Sequence, residues 1–193
     1  MTSQTQRSAD ATEIDLVRRA KAGEERAFAA IYQAYADRVY RFLRYRAPDQ
    51  ASAEDLTSEV FLRAWDKLDT FDPQGAPIGA WLFRIARNLA IDHDRLKKPI
   101  VSLDEIPPQD QGAPASLEDR LSARLEGDRV MNLLDELTND QREVLVLKFV
   151  EGLPTAQVAQ VLGKRQGAIR ALQMRGLQAL GDRLQAEATE GTQ

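Results

Sequence analysis

The chain has 193 residues, of which 43% are hydrophobic and 29% charged, and its formal net charge is −4. That composition fits one or two globular domains with modest cores. No apolar run approaches the roughly 20 residues of a membrane span. The absence of cysteine excludes disulfides, thiolate nucleophiles and cysteine-ligated zinc within the chain, and a single histidine leaves little material for other zinc sites.

The amino terminus, MTSQTQRSADATEID, lacks the apolar centre of a signal peptide, which places the protein in the cytoplasm. Helical periodicity then dominates, and no stretch alternates long enough to be a strand. A first helix is expected over Ile14–Lys21. A second runs over Glu24–Arg46, where Phe28, Ile31, Tyr32, Tyr35, Val39, Phe42 and Leu43 recur at three- and four-residue steps before Pro48. Ser52 can cap a third helix, Ala53–Leu68, with Leu56, Val60 and Ala64 on one stripe and Phe61 and Trp65 beside it. Trp65 and Trp81 read as core residues. The loop Phe71–Gly79 (FDPQGAPIG) is rich in proline and glycine, and a fourth helix follows over Ala80–Lys97.

Five prolines and glycines with several acids make Pro99–Ser116 an extended linker. Beyond it, a helix is expected over Leu117–Leu137. Thr138 with Gln141 three residues on is a capping box that opens QREVLVLKFVEG. Next come a short helix, Thr155–Leu162, with Pro154 at its first turn, and a left-handed stop at Gly163. A longer helix begins near Gln166, and the tail after Leu184 is polar and frayed. This outline is a helix-turn-helix, whose second helix can lie in a DNA major groove. On that helix Ile169, Leu172, Gly176 and Leu180 share an inward stripe, while Arg170, Ala171, Met174, Arg175 and Gln178 face away.

The acidic total conceals two basic patches. Between Val161 and Arg183 stand five bases (Lys164, Arg165, Arg170, Arg175, Arg183) and one acid, Asp182. Between Arg84 and Lys98 stand five bases (Arg84, Arg87, Arg95, Lys97, Lys98) and two acids, Asp92 and Asp94. Screening over roughly 8–10 Å lets each patch act almost independently of the total. In the second patch, loop aromatics followed by helical arginines could hold unstacked single-stranded bases. The same residues also fit a plain loop between core helices, with Asp92–Arg95 and Asn88–Asp92 as intrahelical pairs. Glu54, Asp55, Ser58 and Glu59 lie partly off the third helix's stripe, which fits either a solvated acidic face or a docking surface. No phosphate-cradling glycine loop, nucleophile elbow or metal-binding repeat is present in the sequence. Accordingly no catalytic residue, metal or cofactor is expected.

Three blocks together resemble the extracytoplasmic-function group of sigma-70 family sigma factors. AEDLTSEVFLRAW resembles that family's region 2.2, WLFRIARNLAIDHDR its regions 2.3–2.4, and the stretch from LTNDQREVL to the end of RGLQAL its region 4. The resemblance implies an all-α chain of two small helical domains joined by an extended linker: residues 9–97, an acidic linker 98–127, and a helix-turn-helix domain 128–187. It implies a partner, core RNA polymerase, met by Asp55, Ser58 and Glu59. It implies promoter DNA as the second partner, with Arg63, Lys67, Phe71, Phe83, Arg84 and Asn88 at the −10 element, including a base flipped from the stack. Lys164, Arg165, Gln166, Arg170 and Arg175 would read the −35 element. An anti-sigma protein is a further implied partner, and no membrane insertion is expected. Several positions depart from the family's usual pattern: Ser58 for glutamine, Pro154 for serine, Gln157 for glutamate, Leu172-Gln173 for Arg-Leu, and a slightly long loop after Phe71. The alternatives in other classes are a helix-turn-helix regulator that binds duplex DNA as a dimer, and a helical adaptor that binds only protein.

Overall fold

The computed structural model describes residues 2–96, 133–134 and 137–190, with side chains from 12–95, 133–134 and 137–186. The expected linker and nearly all of the expected helix Leu117–Leu137 lie outside these residues. Among the described residues the chain is helical throughout, without strands. Its elements are α1 (Thr2–Lys21), α2 (Glu25–Arg44), α3 (Gln50–Lys67) with a 3₁₀ turn (Leu68–Thr70), and α4 (Ile78–Leu96). They are followed by α5 (Asn139–Leu145), which continues as a π turn (Val146–Val150), then α6 (Thr155–Leu162) and α7 (Gln166–Glu190).

The first four helices form one packed group in which α2 meets α1, α3 and α4. The reason is its stripe: Ile31, Val39, Phe42 and Leu43 are buried at helical spacing. Gly23, at φ 86°, makes the reversal between α1 and α2 that a β-carbon would strain. Arg19 bonds Glu24 across the same turn and so holds the Glu24 carboxyl below its ordinary range. At α3 the cap is Asp49, whose carboxylate accepts from the Ser52 amide at 2.6 Å, and not Ser52 as its residue type suggests. The helix starts earlier than expected, and Ser52 is buried in its first turn. Trp65 is likewise not a core residue. It is 42% exposed and stands edge-on to Phe28, whereas Trp81 is buried.

In the second group α7 packs on α5 and α6. The capping box forms with both bonds in place between Thr138 and Gln141. Gly163 is left-handed (φ 63°, ψ 32°) and ends α6, while Pro154 stands one position before the first turn, at the cap. Ile169 is fully buried and Gly176 lies against Leu145, so the inward stripe of α7 is as expected. A β-carbon on Gly176 would stand 3.1 Å from Leu145.

The two groups do not stand apart. Helix α6 lies on α4, and the buried apolar side chains of both groups belong to one contiguous core. Arg142 donates to the Tyr45 carbonyl and Gln160 to the Gly75 carbonyl, both at 3.4 Å.

Side chains of α1 and α2 hold the loop between Phe71 and Ile78 at its two ends. Lys21 Nζ donates to the Phe71 carbonyl at 2.9 Å. The Ile78 amide, one of the first N–H groups of α4 that have no intrahelical partner, donates to Glu13 Oε1 at 3.0 Å. The other oxygen of Glu13 accepts from the Tyr35 hydroxyl at 2.6 Å. Tyr35 in turn sits over Gly79, where an added β-carbon would come within 2.7 Å of its ring.

Two measurements check this packing. Gly79→Ala is expected to destabilise the chain by about 1–3 kcal/mol in urea denaturation, whereas Gly181→Ala, in open space on α7, is expected to stabilise it by up to about 1 kcal/mol. Glu13→Ala is expected to speed exchange of the Ile78 amide by about ten- to a hundredfold, the loss of one bond to a charged acceptor.

Candidate nucleic-acid interface

Phe71 and Trp81 stack with ring centroids 4.7 Å apart and planes at 29°. Both are largely buried and line a pocket of about 340 Å³ with Thr70, Asp72, Gly75, Arg84 and, from the other helical group, Gln160. That volume is at the small end of ligand pockets, roughly 300–1,000 Å³. Asp72 shapes the loop locally: its carboxylate accepts from the Gln74 amide at 2.9 Å and its carbonyl from Gly75 at 3.2 Å. Arg84 and Asn88 are exposed one turn apart on α4. Apolar aromatic surface beside a guanidinium can take a planar, anionic guest, which is the chemistry of an unstacked nucleotide.

Of the remaining residues expected at this site, Lys67 is exposed and Arg63 is tied to Glu59 at 2.7 Å. Phe83 needs correction. It is fully buried, edge-on to Phe42 at 5.6 Å, so no base can touch it without unpacking the core. Its place is beneath the site, as part of the floor that carries Arg84. Asp55 and Ser58 are exposed on α3, with Leu62 (62% exposed) one turn further along the same face. Glu59 is half-buried and committed to Arg63.

On the helix-turn-helix, Arg165, Gln166, Arg170 and Arg175 are exposed at the start and along the outer face of α7. Lys164 differs: its ammonium pairs with Asp140 at 2.9 Å, which ties the turn to α5 and occupies the charge. This turn is therefore less basic than a tally of its residues suggests.

Sequence reasoning missed a set of buried charges. Glu143 on α5 is 2% exposed; it accepts a hydrogen bond from Arg87 Nε at 2.8 Å and forms an ion pair, without a hydrogen bond, with Arg46 Nε at 3.3 Å. Glu151, just past the π turn, is 6% exposed and takes Arg38 Nε at 3.0 Å and Arg41 Nε at 3.4 Å. Arg38 also donates to the Glu151 carbonyl at 2.8 Å. The π turn and left-handed Gly152 (φ 66°) aim Glu151 at α2. The sequence gives little signal for these charges: Glu143 follows the polar stretch Asn139–Arg142 and only borders the apolar run Val144–Leu147.

No helix among the described residues is long and apolar enough to cross a membrane. Residues 31–98 match the family model for sigma-70 region 2, and residues 127–180 match that for sigma-70 region 4. The ECF RNA polymerase sigma factor BldN of Streptomyces coelicolor is 39% identical over 178 residues, 91% of this chain and 67% of that protein. SigX of Bacillus subtilis, also an ECF RNA polymerase sigma factor, is 32% identical over 81% of this chain and 82% of its own length. Among solved structures, CnrH in complex with the cytosolic domain of CnrY matches with a TM-score of 0.72 at 28% identity, covering 91% of this chain and 98% of that one. The chain belongs to the sigma-70 family, as an ECF RNA polymerase sigma factor.

Proposed function

We propose that this sigma factor directs initiation through two modules, residues 9–97 and 128–187, with 98–127 as the connection between them. The observation that supports this reading most is the pocket of Phe71, Trp81 and Arg84 beside exposed Asn88, in a chain that also carries an exposed basic recognition helix. A regulator that binds only duplex DNA has no use for such a pocket. The first module docks on core RNA polymerase through Asp55, Ser58 and Glu59, with exposed Leu62 and Trp65 adding apolar area. It then traps a base of the −10 element as the duplex opens. Extrusion costs a few kcal/mol, which contact with Phe71 and Trp81 and the charge of Arg84 offset. Lys67 and Arg63 extend the basic approach to the pocket.

The second module reads the −35 element in the major groove. Arg165 and Gln166 meet phosphates and base edges at the start of α7, and Arg170 and Arg175 continue along the groove. Lys164 contributes there by holding the turn to α5. The protein supplies choice of start site and strand stabilisation, with the chemistry left to the polymerase. It works in the cytoplasm, with an anti-sigma protein as a regulating partner.

The test is in vitro transcription with purified core polymerase across a promoter library. Arg84→Ala with Asn88→Ala is expected to lower the extent of promoter opening, read by permanganate reactivity of unpaired thymines, while leaving duplex binding nearly unchanged. Equal opening by variant and parent would remove the pocket assignment. Arg170→Ala is expected to weaken initiation at −35-dependent promoters by about 5- to 150-fold, the worth of one base-edge contact of ~1–3 kcal/mol. Unchanged initiation and −35 preference would remove the recognition-helix assignment.

A further inference from the structure

A second cavity lies between α1 and the loop that follows Phe71, with a volume of about 300 Å³. Phe71, Gly75 and Ala76 line both this cavity and the Phe71–Trp81 pocket, so the loop is the wall between them. Ile14 and Val17, three residues apart on α1, form the far side, and Pro73, Pro77 and Ile78 complete the apolar lining. Glu13 is the one ionisable side chain among the lining residues.

The two cavities therefore suit different guests. The first has Arg84 for an anionic group, whereas the second has a carboxylate, which repels phosphate. Each oxygen of Glu13 already accepts one hydrogen bond, from the Ile78 amide at 3.0 Å and from the Tyr35 hydroxyl at 2.6 Å. These bonds fix where the carboxylate stands. A carboxylate has about four lone-pair sites, so acceptor capacity remains for a donor in the cavity. The matching guest is flat and neutral, with apolar faces and an N–H donor on its edge. Adenine, cytosine and guanine each carry an amine, and a carboxylate that accepts from cytosine N4 is a recognised edge contact. Thymine has no amine and would turn a carbonyl toward the carboxylate. A base held in the first pocket brings its neighbour on the same strand to the shared wall, at a high effective concentration. Lys21 stands at that wall: its ammonium donates to the Phe71 carbonyl at 2.9 Å and supplies a cation for the phosphate between the two bases.

We propose that the cavity between α1 and the loop is a second nucleobase subsite. It takes the nucleotide adjoining the one in the Phe71–Trp81 pocket and selects against thymine through Glu13. The inference rests on the sigma-factor reading and deepens it, giving two neighbouring positions of the melted strand a separate receptor each. Glu13 is then a specificity-determining residue as well as a tie for the loop.

The test is initiation by the complete holoenzyme on synthetic templates whose −10 segment is kept unpaired, with each base placed in turn at every position of the non-template strand. The position read by the first pocket is the one whose preference Arg84→Ala with Asn88→Ala weakens. At an adjoining position the parent is expected to disfavour thymine against cytosine about tenfold, the low end for one hydrogen bond to a charged acceptor. Glu13→Gln keeps an acceptor for the Ile78 amide and a partner for Tyr35, but replaces the charge with an amide that also donates to a carbonyl. It is expected to cut that discrimination to about twofold or less, while preference at the first position stays. Ile14→Trp fills the cavity, leaves Glu13 in place and should erase the same preference. A purely structural tie predicts instead that Glu13→Gln lowers initiation on all templates alike, with thymine still disfavoured. That result overturns the proposal, as does a parent without thymine discrimination beside the first position, or an Arg84 and Asn88 pair that moves no position. Initiation by the parent on any of these templates reports separately on the sigma-factor reading.

Discussion

Two buried carboxylates decide how this chain is put together. A carboxylate removed from water without a partner costs several kcal/mol, and Glu143 and Glu151 are both almost wholly removed. Each is met by two arginines from the other helical group, so the position of the helix-turn-helix is set by where α2 and α4 offer guanidiniums. Apolar contact between α6 and α4 supplies area without direction. The ion pairs supply the register. Such pairs add little net stability against an apolar alternative, yet breaking one side is costly. They therefore suit a contact that must be specific in register.

The same dependence on distant partners shapes the proposed nucleic-acid site. Its pocket is built on a loop that has little structure of its own, with both ends tied to α1 and α2 through Lys21, Glu13 and Tyr35. Phe83 and Phe42 beneath it are packed edge to face, which holds α4 against α2 and presents Arg84 and Asn88 outward. Single-strand recognition needs this rigidity, since energy spent ordering a loose pocket is lost from base extrusion.

Much of this was legible in the residues themselves. Periodicity found the described helices but not all of their ends: α1 begins at Thr2 where Ile14 was expected, and α7 runs to Glu190 past the fraying expected after Leu184. Chemistry fixed the punctuation: Thr138 with Gln141 as a capping box, Gly163 as the left-handed stop, Ile169 and Gly176 facing inward. What periodicity does not carry is the identity of the surface that an apolar stripe meets. Phe83 lies in a basic segment and reads as part of the strand site, but Phe42, more than forty residues away, buries it. Trp65 reads as core and is half outside, because Phe28 covers only one edge. Asp49 displaced Ser52 as a cap since either oxygen suits the role and only backbone geometry chooses. Lys164 counts as a free cation in sequence and is paired with Asp140 across the turn. The joining of the two groups was the least legible feature, because it depends on charges more than a hundred residues apart, such as Arg38 and Glu151.

The central claim is that these carboxylates hold the helix-turn-helix against the first helical group in the free chain. With no native cysteine, dye-bearing cysteines can be placed at exposed Ala29 on α2 and Ala179 on α7 without competing thiols. Energy transfer between them in the parent chain and in a variant carrying Glu143→Ala with Glu151→Ala tests the claim most directly. High transfer in the parent that falls in the variant is the expected result. Equal transfer in both would contradict it.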